Sequence, residues 1–356
     1  MGPQEREAAA RVLSSGMLVQ GAEVAAFEHA LSEHAAGRTA VAVSSGSSAL
    51  LLALQALGIG RGDEVLVPAL TWPSPAHAVL ECGGVPVLVD VDIDEWNAGA
   101  DAMAAARTQR TAAAIVIDQF GNPARLAAIT EALGDLPVVL DAACSLGSRR
   151  GDAPCEAGGT IACLSFHPRK VITTGEGGAC LTDDPALAEG LRQLRNHGQK
   201  SGGGFARAAV NHRLTEVAAA IGGVQMTRLS EIVEARRALA ARYDGALSGV
   251  RTQACPPGCE SNRQTYGVLL PERFDAGDRD ALLSSLRDDG IEAGILSYAL
   301  QRLPQLADAA ARAAERRHGL DNAATIADRG MALPLHPQLS HDEQDRVVEA
   351  MNRAVK

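Results

Sequence analysis

One lysine lies in a glycine-rich segment between two apolar runs. Lys170 follows the apolar residues 161–164 and precedes the glycine-rich residues 175–178 and a second apolar run, 179–181. This pattern predicts a tight loop between two buried strands. A lysine shielded in such a loop loses its proton readily, and the neutral amine can form a Schiff base with a carbonyl group. A surface lysine on a hairpin would give the same local pattern. The local sequence therefore does not distinguish a reactive lysine from a surface lysine, and residues elsewhere in the chain are needed.

A serine-rich segment could bind a phosphate group. Gly46, Ser47 and Ser48 follow the apolar run 40–43 and precede a helix predicted over 49–57. A helix N-terminus offers free N–H groups and a partial positive charge, and serine hydroxyls add further donors. Serine is also an ordinary N-cap residue, and the two interpretations are compatible.

Three further residues could contact a charged or flat ligand. Asp141 ends the apolar run 138–140, and a carboxylate buried there needs a cation, either a protonated pyridine nitrogen or an arginine. Trp72 could stack on a planar ring or be a hydrophobic plug. Asn211 could be a helix N-cap or a ligand for an anion. A phosphate site, a stacking residue, a buried acid and a reactive lysine are together what pyridoxal 5'-phosphate (PLP) requires.

Composition favours an α/β protein. The chain has 356 residues, which suggests two domains or one large domain with a smaller lobe. It is 46% hydrophobic but only 3% aromatic, so the core must be built mainly from Ala, Val, Leu and Ile. Such a core suits helices packed closely on a sheet.

Charge and cysteine usage exclude several classes of function. The net charge is −10 and no long basic run occurs, which argues against nucleic-acid binding. No signal segment and no apolar stretch of membrane-spanning length is recognisable, so we expect a cytoplasmic protein. The seven cysteines are scattered along the chain. Cys255 and Cys259 flank Pro-Pro-Gly, but no second cysteine pair lies nearby to complete a zinc site, so we expect no metal site. A metal or a disulfide at this pair stays an alternative.

Seven short apolar runs alternate with helical segments over the first half of the chain. Runs that are apolar on both faces predict a largely parallel sheet covered by helices on both sides. Ligands of such sheets bind beyond the carboxyl ends of the strands, where Gly46, Trp72, Asp141 and Ser165 fall. The predicted strands are 40–43, 64–67, 85–89, 113–117, 138–140, 161–165 and 179–181.

The second half of the chain predicts a long helix and a smaller lobe. Residues 214–247 form one long helical pattern, and a linker at 255–261 leads to shorter strands and helices. We therefore expect a large domain at 1–235, with helices at its N-terminus, and a small α/β domain at 236–356.

Several motifs resemble those of the DegT-type sugar aminotransferases, a family of fold-type I PLP-dependent enzymes. The resemblance extends over most of the chain, from residues 21–28 to residues 333–337. The most specific segments are 44–50 (SSGSSAL), 58–65 (GIGRGDEV), 165–170 (SFHPRK), 174–178 (TGEGG) and 195–198 (RNHG).

The resemblance implies a role for each candidate residue. Lys170 would bond the cofactor and shuttle protons, and Asp141 would pair with the pyridine nitrogen. Trp72 would stack on the ring. A homodimer with shared active sites is implied, because Asn211 would reach the cofactor phosphate of the neighbouring subunit. The phosphate would be held by Gly46, Ser47, Ser48 and Ser165, and substrate contacts would come from Met17, His167 and Tyr298.

Three departures from the family pattern bear on the substrate. Cys144 stands three residues after Asp141, where the family often has Gln or His, so its contact with the phenolic oxygen of the cofactor is an open point. The loop 198–211 is short, and residues 297–303 differ from the usual His-Tyr-Pro segment. Because these regions usually shape the pocket for a nucleotide-linked sugar, we expect a keto sugar, a ketocyclitol or a smaller keto compound of secondary metabolism.

The expected activity is therefore transfer of an amino group from an amino acid, glutamate or glutamine, to that keto compound. Two alternatives stay open. Another PLP reaction on the same scaffold, such as elimination or decarboxylation, is one, because a fold does not determine a reaction. A catalytically inactive regulatory partner is the other.

Overall fold

The computed structural model describes residues 1–315 and 319–356. Among these residues the α-helices are α1 (Pro3–Ser15), α2 (Ala22–His34), α3 (Gly46–Ala56), α4 (Ser74–Glu81), α5 (Ala100–Ala106), α6 (Leu126–Leu133), α7 (Pro185–Arg195), α8 (Glu216–Thr227), α9 (Leu229–Ala246), α10 (Ala276–Asp288), α11 (Ala307–Glu315), α12 (Asp321–Arg329) and α13 (His341–Ala354). None of these helices combines the length and the apolar character needed to cross a bilayer.

The strands of the same residues are β1 (Thr39–Val43), β2 (Glu64–Pro68), β3 (Leu70–Thr71), β4 (Val85–Val89), β5 (Thr111–Ile117), β6 (Val138–Asp141), β7 (Arg149–Arg150), β8 (Ala153–Pro154), β9 (Ile161–Ser165), β10 (Gly178–Thr182), β11 (Arg251–Thr252), β12 (Cys259–Glu260), β13 (Tyr266–Leu269), β14 (Gly294–Ile295), β15 (Tyr298–Ala299) and β16 (Gly330–Leu333).

A seven-stranded sheet is the centre of the molecule. Its strand order is β1-β10-β9-β6-β5-β2-β4, and the pairs among β9, β6, β5, β2 and β4 are parallel. Strand β10 runs antiparallel to both of its neighbours, with Gly178 opposite Ser165 on one side and Val43 on the other. The seven predicted strands and the largely parallel sheet are therefore confirmed, and the carboxyl ends of the parallel strands meet at one edge.

Neighbouring residues of each strand enter two different cores, because side chains alternate across a sheet. Val65 and Val67 pack with helices α3 and α4 on one face. Leu66 packs with α2, α5 and α6 on the other face. Since both faces are covered, both sets of strand residues are apolar, as the continuous apolar runs predicted.

A second, four-stranded sheet has the order β11-β13-β16-β14. It shares a core with α10, α13 and the second half of α9. Helix α9 joins this core to the large sheet, because Val233 packs against the large sheet while Leu239 and Tyr243 pack in the smaller core.

The single long helix predicted over 214–247 is wrong. Two helices occupy this stretch, with a break at Arg228, whose φ of −113° and ψ of 8° are not helical. The first of them begins at Glu216 with Thr215 as its N-cap, whose side chain accepts the N–H of Ala218. Sequence periodicity also missed α5 and α7, although Asp184 before Pro185 is a strong start signal for α7.

Candidate active site

Lys170 lies in the connection between β9 and β10. The connection closes on itself through hydrogen bonds from the N–H of Phe166 to the carbonyl of Gly177 (2.8 Å) and from the N–H of Thr174 to the carbonyl of Phe166 (3.0 Å). Lys170 is half-buried, and its Nζ donates to Sγ of Cys144 at 3.1 Å. The predicted loop between two buried strands is confirmed, and the amine is directed into the sheet edge rather than into solvent.

Asp141 and Cys144 lie on the turn that follows β6. Asp141 is buried, and its Oδ1 accepts the N–H of Ala143 at 3.0 Å. The buried amide of Asn262 donates to the carbonyls of Cys144 and Leu146, each at 2.8 Å. These hydrogen bonds fix the backbone of the turn. The carboxylate of Asp141 and the thiol of Cys144 both interact with the amine of Lys170.

Burial and neighbouring charges shift the pKa values of Asp141 and Lys170. Burial raises the pKa of Asp141 to about 6, against the opposing effects of the Ala143 N–H and the Lys170 ammonium. Burial alone would lower the pKa of Lys170, but the Cys144 sulfur and then the Asp141 carboxylate outweigh it, so the pKa of Lys170 is raised. The expectation that shielding makes Lys170 lose its proton readily is therefore wrong for the protein without cofactor.

The N-terminus of α3 lies beside the end of β9. Ser45 is the N-cap and accepts the N–H of Ser48 at 3.1 Å, while the first helical N–H groups have no partner within the helix. Gly46 is in close contact with Ser165, because a Cβ on Gly46 would lie 2.7 Å from the Cβ of that serine. The close approach leaves a narrow site lined by N–H and hydroxyl donors, which suits a phosphate.

The two serines after Gly46 have different surroundings. Ser47 is exposed, and its hydroxyl contacts that of Ser74 at the start of α4. The Ser48 hydroxyl lies 3.0 Å from that of Ser45 and 3.1 Å from Nδ1 of His212. His212 and Ser74 were missed from the sequence; the signal for Ser74 was its place at a helix start directly after Trp72-Pro73.

Trp72 lies between β3 and α4 with 61% of its surface exposed, so it is not a buried plug. Its indole meets the ring of Tyr298 edge to face, with centroids 5.6 Å apart and planes at 70°. Strand β15 brings Tyr298 there by pairing with β3, where Tyr298 is opposite Thr71. The two aromatic residues therefore form one wall at the sheet edge.

The remaining candidates lie further out. Met17 is 65% exposed on the link between α1 and α2. Asn211 is exposed and accepts the N–H of Arg213 at 3.0 Å; it is not the N-cap of α8, which is Thr215. His167 is half-buried and its Nδ1 accepts the N–H of Arg169 at 3.2 Å. The structure thus joins Lys170 to Cys144, Gly46 to Ser165 and Trp72 to Tyr298, and leaves Met17 and Asn211 at the surface.

Solved structures of high similarity define the class of this protein as a fold-type I PLP-dependent aminotransferase. TlmJ, an aminotransferase from Streptoalloteichus hindustanus, is 31% identical, with a TM-score of 0.90 over 99% of this chain and 96% of that one. DesV from S. venezuelae is 32% identical, with a TM-score of 0.90 over 99% and 94%. 3-Amino-5-hydroxybenzoic acid synthase is 29% identical, with a TM-score of 0.92 over 100% and 97%.

A match to a protein-family sequence model identifies the family. The model of the DegT/DnrJ/EryC1/StrS aminotransferase family matches residues 1–352, and the chain belongs to this family. The fold class, the aminotransferase activity and the PLP cofactor expected from the sequence are thereby confirmed. Within the described part of the chain, no cluster of three or more His, Cys, Asp or Glu side chains is placed to hold a metal ion.

The residues at the sheet edge fit PLP. Asp141 is a buried carboxylate whose pKa is raised by burial, which is the situation that a protonated ring nitrogen would relieve. The donors around Gly46 suit a phosphate, and the exposed face of Trp72 suits a flat ring.

Proposed function

We propose that this protein transfers an amino group from glutamate or glutamine to a keto sugar, a ketocyclitol or a related small keto compound. The observation that carries the proposal is the position of the Lys170 amine against the Asp141–Cys144 turn, at the edge where the carboxyl ends of the parallel strands meet. Family membership supports the reaction type.

Seven of the candidate residues would hold the cofactor. We infer that Lys170 bonds PLP through Nζ, that Asp141 pairs with its ring nitrogen and that Trp72 covers the ring. The phosphate would be held by Gly46, Ser47, Ser48 and Ser165. When bound, PLP supplies an electron sink that makes the hydrogen next to the amino group of a bound amino acid acidic.

Lys170 would transfer protons during the reaction, and Asp141 would stabilise the charge that develops. Lys170 is the general base and acid, because its Nζ can remove a proton from the donor and later return one to the acceptor. Nζ must be unprotonated when it acts as a base, although neighbouring groups raise the pKa of Lys170 in the protein without cofactor. Asp141 stays an anion in a buried position, where its electrostatic effect is large.

Pocket features support a small acceptor rather than a standard nucleotide-linked sugar. Trp72 and Tyr298 form an aromatic wall at the sheet edge, where β15 pairs with β3. The segment 196–211 folds back on itself, since the N–H of His197 donates to the carbonyl of Val210 and that of Ala206 to the carbonyl of Gly198. We propose that Met17, His167 and Tyr298 contact the acceptor. Efficient turnover of a nucleotide-linked keto sugar would contradict this part of the proposal.

A homodimer with shared active sites is part of the same proposal. Large apolar side chains are exposed on the α1–α2 link and on the segment 196–211: Met17, Leu18, Val19, Phe205 and Val210. The α1–α2 link lies beside the residues that follow this segment, because Val19 pairs with Thr215. An exposed apolar surface of this kind suits a second copy of the chain, whose cofactor phosphate Asn211 would then approach.

Two further proposals concern organisation and compartment. We propose that the large domain ends at residue 235 and the small domain begins at 236, inside α9, where the packing changes from the large sheet to the smaller core. We also infer a cytoplasmic location, because all seven cysteines are free thiols, as is usual in a reducing compartment.

The test combines spectra with product analysis. The visible spectrum of the PLP-loaded protein is followed while single amino acids are added, and the donor is the one that removes the band of the Lys170-linked cofactor. Recovery of the band with one ketone, with formation of the corresponding amine, identifies the acceptor. Loss of carbon dioxide or of a leaving group without amine formation would favour decarboxylation or elimination, and no response to any donor would favour an inactive regulatory partner.

A further inference from the structure

The side chain of Gln264 holds the backbone of the lysine loop, residues 166–177. Gln264 lies in the segment 261–265, which connects β12 to β13. Its Nε2 donates to the carbonyl oxygen of Arg169, the residue directly before Lys170, at 2.7 Å. A lysine side chain is long and flexible, so the position of its amine depends on where the loop backbone is held. Gln264 holds the peptide unit that joins Arg169 to Lys170.

Asn262, in the same segment, holds the acid turn, residues 141–146. Asn262 is fully buried, and its Nδ2 donates to the carbonyl oxygens of Cys144 and Leu146, each at 2.8 Å. The turn has little room to shift, because a Cβ on Gly121 would lie 1.9 Å from Oδ1 of Asn262 and 3.0 Å from the carbonyl oxygen of Cys144. These contacts fix the place of the carboxylate at the start of the turn.

The two amide side chains support each other within the segment. The N–H of Gln264 donates to Oδ1 of Asn262 at 2.9 Å. The buried guanidinium of Arg236, on α9, donates to the carbonyl of Gln264 at 3.0 Å, and the N–H of Thr265 donates to the carbonyl of Phe120 at 3.3 Å. The segment is therefore fixed both to α9 and to the residues that follow β5.

We propose that Gln264 and Asn262 are positioning residues that together set the separation of the Lys170 amine and the Asp141 carboxylate. This inference rests on the proposed function, in which the amine bonds PLP and the carboxylate pairs with its ring nitrogen. The aldehyde carbon and the ring nitrogen lie on opposite sides of a rigid ring, so the two protein groups must be held at a matching distance. They lie on different connections, after β9 and after β6, and one segment contacts the backbone of both.

The first experiment removes the contact with the lysine loop. Gln264→Met keeps the length of the side chain and removes the donor. The matched control is Gln253→Met, since Gln253 is also half-buried and its Nε2 donates to a backbone carbonyl, that of Glu95, at 2.8 Å. Two quantities are measured on cofactor-free protein: the rate at which added PLP becomes linked to Lys170, and the affinity for pyridoxamine phosphate, which forms no bond with Nζ.

Gln264→Met should slow the linking about fivefold, because the loop loses one hydrogen bond that holds the amine in place. Its affinity for pyridoxamine phosphate should stay within twofold of wild type, since the phosphate site and the acid turn are untouched. Gln253→Met should change neither quantity. Linking at the wild-type rate in Gln264→Met, or an equal loss of linking rate and of pyridoxamine phosphate affinity, would overturn its role at Lys170.

The second experiment removes the contacts with the acid turn. Asn262→Ala is compared with Asn122→Ala, because Asn122 is also buried and its Nδ2 also donates to two carbonyls, those of Glu95 at 3.2 Å and Ala254 at 2.9 Å. Both substitutions should lower the melting temperature. Only Asn262→Ala should weaken binding of pyridoxamine phosphate about tenfold, because the acid that pairs with the ring nitrogen is displaced. Equal affinities of these two variants would overturn the role of Asn262.

Failure of this inference and failure of the proposed function give different results. If wild type and Gln264→Met link PLP to Lys170 at the same rate, the positioning role is wrong and the proposed function stands. If borohydride traps no cofactor on Lys170 even in wild type, the proposed function fails, and the positioning role fails with it.

Discussion

Replacing Asp141 by asparagine should stabilise the protein without cofactor. Burial raises the pKa of this carboxyl from 3.8 to about 6, which corresponds to about 3 kcal/mol of unfavourable free energy for the ionised group. Asparagine keeps an oxygen for the N–H of Ala143 and carries no charge. The free energy of unfolding of the cofactor-free variant should therefore exceed that of wild type by up to about 3 kcal/mol above pH 7.

The pH dependence gives the sign of this effect. Because the pKa of Asp141 is higher in the folded state, folding takes up a proton between pH 4 and pH 6. The stabilising contribution of the protonated acid is present below about pH 4 and is lost as the pH rises through about 6. The advantage of Asp141→Asn should accordingly be near zero at pH 4 and reach its maximum above pH 7.

Urea unfolding of the cofactor-free proteins at pH 4 and pH 8 measures this difference. The control is Asp152→Asn, at an exposed loop position, which should change the stability by less than about 0.5 kcal/mol at either pH. PLP should bind the Asp141→Asn protein at least tenfold more weakly, because the anion that would pair with the ring nitrogen is absent. Equal stability of the variant and wild type at pH 8 would refute the account of Asp141 as an unrelieved buried charge.

Two predictions concern glycines in close contact. Gly46→Ala places a methyl group 2.7 Å from the Cβ of Ser165, so the protein should lose about 1–3 kcal/mol of stability. PLP affinity, measured by fluorescence titration on the folded variant, should fall at least tenfold, and unchanged affinity would argue against a phosphate site there. On α8, Gly222→Ala meets the Phe27 ring at 2.7 Å and should destabilise the protein by about 1–3 kcal/mol. Its neighbour Gly223, which has open space, should give a gain of about 0.5–1 kcal/mol on replacement by alanine. Similar effects of the two substitutions in urea unfolding would contradict the packing.

The large sheet could be predicted because burial on both faces leaves a continuous signal. In β2, Val65 enters one core and Leu66 the other, and both are apolar. The break at Arg228 could not be predicted, because no glycine or proline marks it and the helical periodicity continues through it. It arises where α9 leaves the large sheet for the smaller core, which is a tertiary effect.

The sequence predicts where Lys170 lies in the fold, but it does not predict the charges that act on its amine. The position of Lys170 between two buried strands follows from the local pattern. The direction of its pKa shift does not, because the sulfur that contacts its amine comes from a turn 26 residues earlier in the chain. The edge-to-face contact of Trp72 with Tyr298 likewise depends on the pairing of β3 with β15, for which the sequence contains no signal.

The central claim is that Lys170 bonds the cofactor, and the chain makes it unusually easy to test because its only lysines are Lys170, Lys200 and Lys356. The PLP-loaded protein is reduced with borohydride and digested, and the lysine that carries the pyridoxyl group is identified by mass spectrometry. The account predicts the label on Lys170, its loss together with the visible absorption band in Lys170→Arg, and an unchanged band in Lys200→Arg. A label on Lys200 or Lys356, or a band that survives in Lys170→Arg, would contradict it.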